Sequence, residues 1–128
     1  MSGELETRTF RVTRADLVAY ANASGDQNPI HQDEQVARSV GLPGVIAHGM
    51  FTMALVGRAV ESWTGPGRVA EIGCKFTKPV VVPDGDDGVE VTVAGTMGEP
   101  ADGLATISMV VTCGEEKVLG APKAVVRA

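Results

Sequence analysis

Cysteine and aromatic residues are scarce in this chain, and it holds neither a block of basic residues nor a long unbroken apolar run. Each shortage removes a class of protein. The two cysteines, Cys74 and Cys113, stand far apart with no Cys-x-x-Cys pair. Both fall in strand-like runs and read as small sheet residues in a reducing compartment, with a bridge between neighbouring strands as the alternative. Aromatics make up only 4% of the residues, so Val, Ala, Leu and Met must fill the interior. The formal net charge is −5, and without a concentrated basic stripe a nucleic-acid partner is not expected. No stretch approaches the roughly 18 apolar residues of a membrane span. The start, "MSGELETRTF", lacks the apolar core of a signal peptide, so a cytoplasmic protein is expected. There is no internal repeat or low-complexity tract.

What is present fits one folded domain, residues 1–128, because 44% hydrophobic and 21% charged residues are globular values. "RTFRV" (8–12) reads as a short strand. A helix should follow over "TRADLVAYANAS", with Thr13 as N-cap, Asp16 closing a capping box and Gly25 as its stop. Leu17, Tyr20 and Ala21 recur at helical spacing, and Ala15, Val18 and Ala19 widen the apolar face. A second short helix is predicted over "DEQVARSV", capped by Asp33, then a Gly- and Pro-punctuated loop, "GLPGVIA". Next comes a helix from about His48 to Trp63. Between Met50 and Gly57 only Thr52 is polar, which predicts burial on every side of its first turns. The second half alternates apolar and polar residues in four strand-like runs joined by short polar loops. Pro122 in the last run demands an edge position or a bulge. An apolar helix followed by a meander of one-sided strands packs as an α+β domain, its antiparallel sheet curled around the helix.

The chemistry concentrates in "SGDQNPIH", Ser24 to His31. Pro29 fixes its own φ and pushes Asn28 toward extended backbone, so the turn has few conformations. Such a turn can aim Asp26 and His31 at one point, where a carboxylate and an imidazole sharing a water move protons both ways. The plainer reading is a helix stop in which Asp26 and Asn28 bond nearby amides and His31 packs. "GVIAHGM" adds His48 and Gly49 at the opening of the long helix, where unpaired amides and the positive dipole end suit a developing oxyanion. A protonated His48 is disfavoured at that position, so it is not taken as the base. No metal is expected, since Asp26, His31, Asp33 and His48 match no ligand spacing. Ser24 lacks the strand–turn–helix setting of a nucleophile.

Tyr20 with "SGDQNPIH" and then "GLPGVIAHGM" resembles the (R)-specific hydratase motif of MaoC-like hot-dog-fold enzymes. The likeness runs from "GELETRTFRVTRADLVAYA" through "TMALVGRAVESWTG" to "FTKPVVVPDG", and is similar to the catalytic B subunit of mycobacterial-type (3R)-hydroxyacyl-ACP dehydratases. The resemblance implies a hot-dog fold and reversible dehydration of (3R)-hydroxyacyl thioesters carried on CoA or ACP, without a cofactor. It implies Asp26 and His31 as the catalytic dyad, the Gly49 amide in the oxyanion hole and Asn28 holding the loop. His48, Met50 and Phe51 would contact substrate, with Trp63 supporting the acyl pocket. It further implies pairing with a second hot-dog domain, as a homodimer or a heterodimer. The alternatives are a non-catalytic acyl-binding subunit and a hot-dog thioesterase. An acidic carrier would need a local basic rim, for which Arg68, Lys75, Lys78 and Lys123 are the candidates.

Overall fold

A computed structural model describes residues 3–128. In chain order the elements are β1 (Gly3–Glu4), β2 (Arg8–Val12), α1 (Arg14–Ser24), a 3-10 turn (Pro29–His31), α2 (Glu34–Ser39), α3 (Gly49–Thr64), β3 (Val69–Phe76), β4 (Val89–Met97), β5 (Leu104–Cys113), β6 (Glu116–Lys117) and β7 (Leu119–Arg127).

The helix boundaries follow from capping chemistry. The Thr13 side chain accepts from the Asp16 amide, and the Asp16 carboxylate accepts from the Thr13 amide. Gly25, at φ +81°, ends α1 with its N–H on the Ala21 carbonyl. Asp33 caps α2 by accepting from the Gln35 and Val36 amides. Only Leu17 and Ala21 of α1 are buried. Ala15, Val18 and Ala19 face solvent, because the core reaches just one stripe of this helix.

All strands pair antiparallel in one sheet of order β1-β4-β5-β7-β3, with β2 also on β4 and β6 on β5. Their inward residues, among them Val91, Val93, Ile107, Val111, Ala124 and Val126, close over Leu55, Val56, Ala59 and Val60 of α3. Each such Val, Leu or Ile side chain contributes about 1.5–3 kcal/mol on burial, and each Ala less. This is the curled sheet and helix of a hot-dog fold. β7 is an interior strand, and Pro122 fits there through a register shift against β3, between Gly73 and Lys75, beside Ala121 at φ +44°. Cys74 and Cys113 are free thiols on β3 and β5, with β7 between them. Burial pushes both thiols up, with the Glu116 carboxylate adding to the effect at Cys113.

One expectation for α3 does not hold. Its first turns are not covered on every side: Met50 is 58% exposed, and Ala54 and Arg58 continue the open stripe at one-turn spacing. A single sheet covers only one flank of the helix, and among the described residues β3 is paired on one side only, by β7, which leaves its other edge free. Among the described residues no helix is long and apolar enough to cross a membrane.

Candidate active site

Three segments meet at the start of α3. The first is the turn after α1. Ser24 Oγ accepts from the Asp26 amide at 3.1 Å, Asp26 Oδ1 from the Asn28 amide at 3.2 Å, and Asn28 Oδ1 from the Ile30 amide at 3.2 Å. Pro29 opens the 3-10 turn, whose His31 amide reaches the Asn28 carbonyl. The local bonds of a helix stop are therefore present, and the same bonds hold Asp26 exposed at the rim while His31 goes inside. Asn28 acts within the turn itself.

The second segment is the loop 41–47, which runs beside residues 80–82. The Ala47 amide bonds the Val80 carbonyl and the Val82 amide the Val45 carbonyl, both at 2.9 Å. This path carries the Ile46 carbonyl to His31 Nδ1, 2.7 Å away. A carbonyl only accepts, so Nδ1 carries the proton and Nε2 presents a lone pair. Glu34, a residue with no sequence signal, anchors the loop: its Oε1 accepts from the Val45 amide at 3.2 Å and from Arg14 at 3.0 Å. The Val45 N–H first, and then Arg38 and Arg14, hold its carboxyl below its ordinary value despite the opposing effect of burial.

The third segment is the first turn of α3. His48 makes no side-chain cap, and the first intrahelical bonds come from the Phe51 and Thr52 amides to its carbonyl. The Gly49 and Met50 amides precede those bonds, at the positive end of a 16-residue helix. The missing Cβ at Gly49 has a packing consequence too, because one placed there would lie 3.1 Å from the nearest carbon of the Phe76 ring. His48 is buried, stacked on His31, with Nε2 3.1 Å from the Asp26 carbonyl.

Donor atoms of Asp26, His31 and His48 all lie within 4.8 Å of one another. Asp33, grouped with them in the sequence, is instead the cap of α2. A carboxylate and two imidazoles can hold a divalent cation. Here, however, the two rings lie 23° from parallel at 3.8 Å, so their lone pairs run in neighbouring planes instead of converging. That arrangement suits proton transfer better than ligation.

Two cavities flank Asp26 and His31. One of about 460 Å³ is lined by His31, Ile46, Gly49, Thr52, Phe76 and Lys78, and one of about 440 Å³ by Tyr20, Asp26, His48, Gly49, Met50 and Phe76. Gly49 and Phe76 border both. Phe51 lies edge-on to Tyr20 at 5.3 Å, behind the site. Trp63 is about 21 Å away along α3, bonded to the Glu6 carbonyl and lining a separate cavity with Leu5 and Met97. Of the four cations considered for a basic rim, only Lys78 borders the larger cavity. Phe76 is the site residue that sequence reasoning missed, since its pattern reads only as one position of a strand.

The family model for the MaoC-like domain matches residues 2–118. The chain belongs to the MaoC-like dehydratase family. Among curated relatives, 3-hydroxyacyl-thioester dehydratase X of Mycobacterium tuberculosis is 40% identical over 92 residues, 66% of this chain and 32% of that protein. The 3-hydroxybutyryl-CoA dehydratase of Methylorubrum extorquens is 32% identical over 119 residues, 91% of this chain and 74% of its own length. A solved MaoC-like dehydratase superposes with TM-score 0.93 at 33% identity, over 99% of this chain and 40% of the other. The (R)-hydratase of A. caviae, involved in PHA biosynthesis, does so with TM-score 0.86 at 25% identity, over 99% and 96%. This chain thus spans about a third of the first relative and most of the second.

Proposed function

We propose that this domain catalyses the reversible dehydration of (3R)-hydroxyacyl thioesters to trans-2-enoyl thioesters. The observation that carries this reading is the convergence of Asp26 and His31, with donor atoms within 4.8 Å, beside the uncapped α3 start that presents the Gly49 amide. In dehydration, His31 Nε2 removes the α-proton while the Gly49 N–H stabilises negative charge growing on the thioester oxygen. Asp26, entering protonated, gives its proton to the β-hydroxyl, which leaves as water. In hydration the steps reverse. The Asp26 carboxylate takes a proton from water as its oxygen bonds Cβ, and His31 returns a proton to Cα.

The acyl chain enters the cavity bordered by Ile46, Thr52 and Phe76, with the carrier toward Lys78. Lys78 sits 3.7 Å from Glu116, an exposed pair that an anionic carrier can displace. The partner is a second hot-dog domain, covering the free β3 edge and the open stripe of α3.

Incubating the purified chain with a short trans-2-enoyl-CoA and following loss of the enoyl absorbance tests the reading. Asp26→Asn and His31→Ala should each lower turnover by about 10²–10⁴-fold with melting temperatures near wild type. Absence of turnover in either direction, alone and with a related partner chain, makes the acyl-binding subunit the better account. Release of free thiol would point to a thioesterase.

A further inference from the structure

The chain has two histidines, and both belong to one contact. Their centroids are 3.8 Å apart, and His31 and His48 are only 8% and 2% exposed. Each directs one ring nitrogen at a backbone carbonyl, His31 Nδ1 at Ile46 and His48 Nε2 at Asp26. Since carbonyls only accept, the stacked rings are held as opposite tautomers. The other nitrogen of His48, Nδ1, is buried and has no hydrogen-bond partner among the described residues. Leaving a buried polar atom unpaired is unfavourable, so packing alone would favour Phe at this position.

We propose that His48 is a positioning residue for the dyad. Its Nε2–H tethers the Asp26 carbonyl, and with it the turn, to the start of α3. Its ring face sets the plane of His31, fixing where Nε2 points. The residue after it, Gly49, supplies the oxyanion amide, so one residue registers carboxylate, imidazole and amide against each other. Tyr20, tilted 59° at 4.8 Å, braces the same ring. The role rests on Asp26 and His31 being the catalytic dyad.

The test compares wild type with His48→Phe, which keeps a flat ring and drops the tether, and His48→Ala, which drops both. Nitrogen-15 spectra of the wild-type imidazoles should show one Nδ1–H and one Nε2–H tautomer. Each variant retains a single histidine, which assigns the His31 signal. His48→Phe should keep its melting temperature within a few degrees while kcat for the thioester falls about 10–100-fold and KM moves less than about twofold. His48→Ala should fall further in kcat, with His31 sampling both tautomers. Two identical tautomers in wild type, a His48→Phe kcat within twofold of wild type, or a KM effect with unchanged kcat would each overturn the proposal. A wild-type protein inert toward both thioesters overturns the dyad reading instead, and the tautomer spectra then separate that failure from a failure of the stack.

Discussion

At Gly49 a single hydrogen atom stands where any other residue would press on Phe76. Gly49→Ala should leave the fold intact, because the Phe76 ring is 56% exposed and free to yield. Its kcat/KM should drop about tenfold or more as the thioester is lifted from the amide, read by steady-state kinetics beside a thermal melt. Asn28→Ala removes the acceptor of the Ile30 amide and loosens the turn. We expect a lower kcat with little change in melting temperature. Asp26, His31 and Gly49 were legible as site candidates because their chemistry sits in short segments with a restrictive proline and a helix start. The contact between His31 and His48 was not. It depends on the path of residues 41–47 against residues 80–82, which no local pattern encodes.

Helices and strands were the most legible level, since caps and periodicity act locally. Thr13→Ala should destabilise the domain by about 1 kcal/mol, seen as a shifted urea midpoint with an unchanged slope. Glu34 makes the opposite case. Its partners Arg14 and Val45 lie on other segments, so the sequence shows an ordinary helix acid while the fold shows an anchor. Its carboxyl lies below its ordinary value of 4.5, so the stability it adds is present above that value and lost as pH falls through the lower folded one. Glu34→Gln should melt earlier than wild type at neutral pH, and the gap should shrink progressively as the pH falls below 4.5. A gap independent of pH would mean that packing, not charge, holds the loop. The exposed stripe of α3 escaped the sequence for a related reason: apolar residues report a preference for burial and do not say which neighbour provides it.

For the molecule as a whole, the open stripe of α3 and the free edge of β3 set the expected assembly. Light scattering should give about twice the mass of the 13.3 kDa chain. Ala54→Glu, on the open stripe, should return it to a single chain and lower activity. A wild-type chain that is single and inactive would call for a related second subunit. The distribution of its fluorophores gives the domain a property of its own. The one tryptophan is fixed at the far end of α3, bonded to the Glu6 carbonyl, and the one tyrosine stands against the His48 ring. Indole emission should therefore respond first to changes at the β1–β4 end, and phenol absorbance to changes around His48. An acyl thioester that perturbs the phenol and leaves the indole unchanged would place its entry at the His48 end of α3 in one unlabelled sample.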